Sequence, residues 1–404
     1  MTKISKKIGA ILILSLTAAG AFSEGVLFRF KHNKGDSASY VSTVNEEVLL
    51  NGKFNHKAVI VNRISSQIKD VLDDGTAVIH ATYMTSEESE SMYQNIQWGE
   101  DFESNFYRHT NGEMEIDDDY FMPTVRNVPV FPDYPVNIDE SWSAEGHEAE
   151  DLRNTFGIEK PYKIPFTAKY RYLRDEETES GKILNVISVN YTFYYESPSP
   201  YIENLNMPCS TMGNSSEIIY WDNEKGIIDH YNEDFKIIIE TYAGDIFTFR
   251  GRSGAEVTEF KSVNTEANLK LIEETVSNLA IEDVSVKKSE KGLTISIENI
   301  QFEPDSAKLM ASEKEKLNKI ASILTQFNND LLVTGHCAER GTARARKQLS
   351  EERADAVANY LKGLKVRDRN HIFTLGKGSN EPIASNATEE GRMKNRRVEI
   401  TILD

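Results

Sequence analysis

The sequence is poor in cysteine, with 2 in 404 residues, too few for a disulfide-stapled scaffold. Proline is sparse too. Of its 11 prolines, Pro123, Pro129, Pro132 and Pro135 crowd one segment. Basic residues are outnumbered, 46 Lys and Arg against 64 Asp and Glu, and the formal charge of −18 argues against a nucleic-acid binder. No apolar run reaches the roughly 20 residues that a helical membrane span needs. Catalytic signatures are missing as well: there is no His-Glu-x-x-His pair, no Gly-x-Ser-x-Gly elbow and no phosphate-cradling glycine loop. No cofactor or metal site is read from the residues.

What is present suffices for a folded chain. A hydrophobic content of 39% is too high for disorder, and the length suits two or three domains at roughly 100–200 residues each. Charge is unevenly spread. Residues 291–404 hold 19 Lys and Arg against 16 Asp and Glu, while residues 1–290 hold 27 against 48. An acidic body joined to a mildly basic C-terminal unit implies pieces with different partners.

Residues 1–23 read as an export signal. Lys3, Lys6 and Lys7 precede a short apolar run from Ile8 to Ala19, and Ala21-Phe22-Ser23 places small residues at a cleavage site. No cysteine lies near that point to be acylated, so an exported, periplasmic chain without a lipid anchor is expected. Cys209 and Cys337 fall in different expected domains and are read as two separate buried thiols.

Residues 24–260 read as an acidic, antiparallel β-rich region. Tyr40, Val44 and Val48 alternate with Thr43, Asn45 and Glu47, and Asn51-Gly52 then stands before a second run, the strongest short hairpin signal. Asp74-Gly75 and Asn111-Gly112 punctuate later turns. Further strands are expected over Ile164 to Leu173, Ile183 to Tyr195, Glu217 to Trp221 and Phe235 to Phe249, the last broken at Ala243-Gly244-Asp245, with a short helix over Glu148 to Phe156. The proline cluster marks a loop or edge crossover. Either two halves meet near residue 140, or one large curved sheet carries a long connection.

Two readings of this body stay open: a β domain with a packed core, or a membrane barrel. Ile183, Ile187, Val189, Tyr191, Phe193 and Tyr195 would suit the apolar face of a barrel strand. Asp117-Asp118-Asp119 lacks the alternating spacing of a calcium loop and reads as a solvated turn. The histidines His32, His56, His80, His109, His147 and His230 have no ligand spacing.

Over 261–290 the period changes to helical. Leu269, Ile272, Val276 and Leu279 form one stripe, capped by Asn264 or Thr265, and the helix is expected to link the body to the C-terminal unit. Residues 291–404 then read β-α-β-α-β-β, an α/β sandwich, so the whole is a multi-domain chain. Its elements are a strand from Leu293, a helix opened by the capping box Ser312-Glu313-Lys314-Glu315, a strand at Leu331 to Val333, a helix from Ala343 to Leu361, and strands at Ile372 to Leu375 and Val398 to Leu403.

Three separated motifs in this unit resemble the OmpA-like domain family: Asn299 to Leu309; Val333-Thr334-Gly335-His336 followed by Leu349-Ser350-Glu351-Glu352-Arg353-Ala354; and Gly376-Lys377-Gly378 with Gly391 to Ile400. The overall layout looks like that of multi-domain OmpA-type envelope proteins of spirochaetes. The resemblance implies non-covalent peptidoglycan binding, in which an aspartate after the Gly-His-Thr turn and the arginine of the Leu-Ser-x-x-Arg-Ala helix hold diaminopimelate. Arg353 matches that arginine. The aspartate position is Ala338, the preceding threonine is Cys337, and the asparagine usual three positions before the leucine is Arg346. Glu339 is the one acid near Arg340, Arg344, Arg346 and Lys347.

Losing a charge-assisted partner costs about 1.5–3 kcal/mol, about tenfold or more in affinity. Three consequences stay open: Glu339 swings in to restore the charge, the wall's diamino acid lacks diaminopimelate's second carboxylate, or wall binding has lapsed and a protein-interaction module remains. The resemblance further implies that Asn395, Arg396 and Arg397 brace the final strand, that Phe302 is core, and that Gly376 and Gly378 are turn residues. The expectation is a non-catalytic envelope protein of the periplasm, associated with outer membrane or wall, with peptidoglycan and periplasmic or outer-membrane proteins as partners. The alternative is a β-domain ligand carrier or enzyme localised by the C-terminal unit.

Overall fold

The computed structural model describes residues 25–88, 96–197, 205–258, 263–289, 291–302 and 307–404. The export signal expected over 1–23 lies outside the described residues, as does the Glu303 to Ser306 part of the first motif.

Alternating polarity and turn residues build the N-terminal body. Strands β1 (Ser37–Leu50), β2 (Lys53–Val71) and β3 (Ala77–Glu88) follow as hairpins. The first turns through Asn51 and Gly52 at φ of 52° and 73°, the double positive φ that Asn-Gly tolerates. After a two-residue strand β4 (Ile96–Gln97) come β5 (Glu100–Arg108), β6 (Met114–Ile116) and β7 (Val125–Arg126). A meander of β8 (Ser141–Glu150), β9 (Tyr162–Glu177), β10 (Ile183–Glu196), β11 (Pro208–Asp222), β12 (Ile227–Thr241) and β13 (Ile246–Thr258) completes it. Strand β13 pairs with β1, so strands on both sides of residue 140 belong to one 12-stranded sheet ordered β6-β5-β3-β2-β1-β13-β12-β11-β10-β9-β8-β7. Of the two arrangements left open by the proline cluster, the single curved sheet is the one observed.

Its edges β6 and β7 are consecutive in the chain, and the sheet is nearly closed. Side chains and loop backbone bridge the seam: Met114 N donates to Asn127 Oδ1 (2.8 Å) and Phe131 N to Asn111 O (2.8 Å). Arg126, buried in the seam, donates to the carbonyls of Pro123 and Tyr120.

The concave face is aromatic. Phe28, Phe30, Phe131, Trp142, Tyr170, Tyr172 and Trp221 pack as one cluster, continued by Val189, Tyr191 and Phe193. The alternate positions Thr167, Lys169 and Arg171 on β9, and Asp234 and Lys236 on β12, are exposed. This polarity is the reverse of a membrane barrel, which turns its apolar side chains outward.

Two local expectations need correction. Glu148 to Phe156 is not helical throughout: β8 runs to Glu150, and α1 (Arg153–Phe156) is one turn, because Glu148 and Glu150 continue the ladder with β9. The capping box is also displaced. Helix α3 (Ala311–Leu324) is preceded by Met310, whose side chain makes no cap, and Ser312 lies inside the first turn. The Phe302–Leu309 bridge and a Met310 N to Gln301 O bond set the chain entering earlier than the polar pattern suggests.

The C-terminal part is a six-stranded sheet ordered β14-β15-β18-β16-β17-β4. Its elements are α2 (Glu266–Asn278), β14 (Val284–Ser289), β15 (Gly292–Glu298), α3, β16 (Leu331–Gly335), α4 (Ala343–Gly363), β17 (Ile372–Gly376), α5 (Glu389–Asn395) and β18 (Arg397–Leu403). The expected β-α-β-α-β-β order is present, with α5 between the last two strands and β14 and β4 added at the edges. Helix α2 is capped by Thr265, whose hydroxyl accepts from Asn268 N, and it buries Ile272 and Val276 in the same core as Leu293, Leu317, Val357 and Ile400. Among the described helices none is long and apolar enough to cross a membrane.

The other face of this sheet packs on the N-terminal body. Leu332, Phe373 and Leu403 meet Val61, Met84, Ile96 and Trp98. Strand β4 pairs in parallel with β17, and Trp98 N donates to Thr374 O (2.6 Å). Arg63 Nε, from β2, donates to buried Asp330 Oδ2 (3.0 Å), and Asp330 Oδ1 also bonds His371 Nδ1 (2.7 Å).

Candidate functional site at the C-terminal ends of two parallel strands

Parallel strands β16 and β17 end side by side at Gly335 and Gly376, and the first half of α4 crosses over them. The crossing is close. A Cβ on Gly335 would sit 2.0 Å from Ser350 O, and one on Gly376 would sit 2.4 Å from Glu351 Cγ. Both glycines are therefore packing requirements that set α4 on the strand ends, more than the turn role expected for Gly376. Ser350 Oγ then accepts from Gly378 N (2.9 Å), tying the helix to the next loop. Gly378 has the left-handed φ of 55° that a turn residue needs.

This packing gathers Cys337, Ala338, Arg346 and Arg353. Cys337 is buried, its N donating to Gly378 O (2.7 Å) and its thiol facing Arg346 O (3.6 Å). Burial pushes that thiol up from its ordinary pKa, against the opposing pull of the Arg353 and Arg346 charges. Cys209, by contrast, is only half-buried, and neither cysteine forms a disulfide. Ala338 is buried and offers no charge.

The half-buried Arg353 stacks its guanidinium over the Phe302 ring, 4.8 Å from the centroid, and no acid among the described residues pairs with it. Its Nε has no hydrogen-bond partner, and desolvation lowers its pKa. Phe302 is thus both core and platform. The sequence carried the apolar half of that reading; the stacking depends on a chain crossing that no local pattern marks.

Arg346 donates through Nη1 to Gly341 O (2.5 Å), and its Nε is unpartnered. Glu339 is exposed, held through its backbone N by Asn386 Oδ1 (3.2 Å). Arg340, Arg344 and Lys347 are exposed around it. Asn395 braces the 383–386 loop, accepting from Ile383 and Ala384 N, and Arg396 pairs with Glu389 (2.9 Å). Of the expected trio, only the buried Arg397, bonded to Glu399 (2.9 Å), acts within the final strand. The arrangement is a basic, partly apolar recess in which no acid among the described residues pairs with Arg353.

Elsewhere, a depression of about 820 Å³ on the outer face of β1, β2 and β11 to β13 is lined by charges that pair with one another, Glu47 with Arg250 (2.5 Å) and Asp234 with Arg252 (2.7 Å). Asp118 and Asp119 pair with Lys163 and Lys160, as suits a solvated turn.

Comparison with known proteins centres on this unit. The OmpA family model matches residues 301–396. The peptidoglycan-binding protein ArfA of Mycobacterium tuberculosis is 42% identical over 104 residues, covering 26% of this chain and 32% of that protein. The probable lipoprotein YiaD of Escherichia coli is 36% identical over 121 residues, covering 30% and 55%. The solved cell wall anchor of the type VI secretion system from Pseudomonas aeruginosa is 32% identical with a TM-score of 0.29, covering 32% of this chain and 94% of that one. The chain thus spans about a third to a half of the length of these curated relatives.

Proposed function

We propose, from the premise that residues 301–396 form an OmpA-family domain, that this is a non-catalytic protein of the cell envelope whose C-terminal unit faces peptidoglycan through an altered site. Relatives of this domain are structural envelope proteins such as outer membrane protein A of Bordetella avium and the peptidoglycan-associated lipoprotein of Buchnera aphidicola. The reading includes export to the periplasm and a β body that meets periplasmic or outer-membrane proteins. It takes the C-terminal unit to begin near residue 263, where the shared core starts.

The observation that carries the proposal is Arg353. A half-buried guanidinium on an aromatic ring, without an acid partner, supports recognition of a carboxylate. With Ala338 where the family has an acid, an ammonium on the same ligand has no counter-charge, so a zwitterionic diamino acid is held by one end only. Wall binding is then weakened or shifted in specificity. A second reading, a module for an anionic protein partner, is favoured by exposed Arg340, Arg344 and Lys347 beside the recess.

The test is co-sedimentation of the full chain with purified diaminopimelate-type peptidoglycan. Weak binding is expected, abolished in Arg353→Ala and raised about tenfold in Ala338→Asp. Strong binding that is indifferent to both substitutions would refute the site. No binding by either the native chain or Ala338→Asp would favour the protein-partner reading.

A further inference from the structure

Far from this recess, the concave side of the β body carries a polar layer that the aromatic core does not fill. The registers place Val189 opposite Glu217, Glu217 opposite Glu233, and Glu233 opposite Ser253, all turned to the core side. Glu148 and Glu150 reach the same region from β8, where the Tyr191 hydroxyl donates to Glu148 Oε1 (3.0 Å). Glu150, Glu217, Glu233 and Tyr231 are only half-buried although they face inward, so the space they border is open.

Four carboxyls in one interior need a cation or protons. No Lys, Arg or His among the described residues pairs with any of them. Arg108, the inward-facing guanidinium, lies instead over Phe30 (4.9 Å) and Phe106 (6.0 Å), and Arg126 is committed to backbone carbonyls in the seam. Glu233 accepts from the hydroxyls of Ser215 (2.6 Å) and Ser253 (2.7 Å). Glu148, only 4% exposed, has no N–H or hydroxyl donor on Oε2, and its nearest titratable neighbour is another acid, Glu150. Burial raises Glu148 and Glu217 well above the ordinary carboxylate range, with the neighbouring Glu150 and Glu233 charges adding to it. The molecule therefore holds an unfilled acceptor deep in an acid-lined, aromatic-walled space.

We propose that this interior is a binding site for a small organic cation, an amine or diamine, with Glu148 and Glu150 taking one ammonium and Glu217 and Glu233 the other. A metal ion is disfavoured because no three His, Cys, Asp or Glu among the described residues converge closely enough to hold one. An ammonium needs only acceptors and aromatic faces, which Tyr191, stacked on Phe166 at 3.8 Å, and Tyr231 supply. The site is separate from Arg353 and does not depend on wall binding.

The probe is 1,5-diaminopentane, titrated calorimetrically into the full chain at neutral pH and about 0.15 M salt, where surface attraction to an acidic protein is screened. Saturable one-site binding is expected, with 1,5-pentanediol silent. Glu148→Gln and Glu233→Gln each weaken it about tenfold or more, and Glu47→Gln, on the outer face, leaves it unchanged. Should Glu148→Gln fail to fold by circular dichroism, Glu217→Gln takes its place. Absence of saturable binding at millimolar diamine, equal binding of the diol, or full binding by Glu233→Gln would each overturn the proposal.

Discussion

At the residue scale, the junction between the two parts rests on one buried ion pair. Arg63 is 6% exposed and Asp330 fully buried, and Arg63 also donates through Nη2 to Asp404 O (2.8 Å). Such a pair adds little over a well-packed apolar pair, but breaking one half strands the other charge. Arg63→Met is therefore expected to cost about 3–5 kcal/mol, read as a fall in urea midpoint. Arg63→Met combined with Asp330→Leu should recover most of the loss, since His371 is partly open to water. If the single variant melts like the parent, the pair is idle. None of this was legible in the sequence, because the partners stand 267 positions apart and neither lies in a motif. The placement of Arg353 on α4 follows from a local motif, whereas its stacking on Phe302 does not.

At the element scale, periodicity carried most of the fold. The strands from Tyr40 to Phe249 and the C-terminal alternation follow from period-two and helical stripes, which are properties of short stretches. Elements defined by what they dock against were hidden. Strand β4 has two residues and no pattern of its own; it exists as the partner of Phe373 and Thr374. Helix α2 showed its stripe, yet the stripe does not say which core it enters. Ile272 is fully buried in the core of the C-terminal unit, so Ile272→Ala should lose about 2–5 kcal/mol. Hydrogen exchange should show protection falling in β15 and α3. A helix that only tethered two bodies would tolerate the change with no loss in either element, and that outcome would move the unit's start back towards residue 291.

At the scale of the whole molecule, the six-stranded sheet is covered on both faces, by its helices on one side and by β2, β3 and Trp98 on the other. The contact runs from Asp330 along β17 to Leu375, which stands next to Gly376 at the strand end. At the boundary of the two parts Lys291 pairs with Asp101 (3.0 Å) while lying over the Trp98 ring (4.6 Å). Two parts joined this way should unfold together. Tryptophan fluorescence, dominated by the body, and hydrogen exchange in β16 and β18 should report one urea transition for the full chain. Residues 263–404 expressed alone would leave Leu332, Phe373 and Leu403 uncovered and Asp330 without Arg63. That fragment should bind a hydrophobic dye, self-associate and melt at lower urea. A fragment as stable and as dye-silent as the full chain would mean that the contact face is incidental, and the recess would then be free to move on a tether instead of being held at a fixed distance from the body.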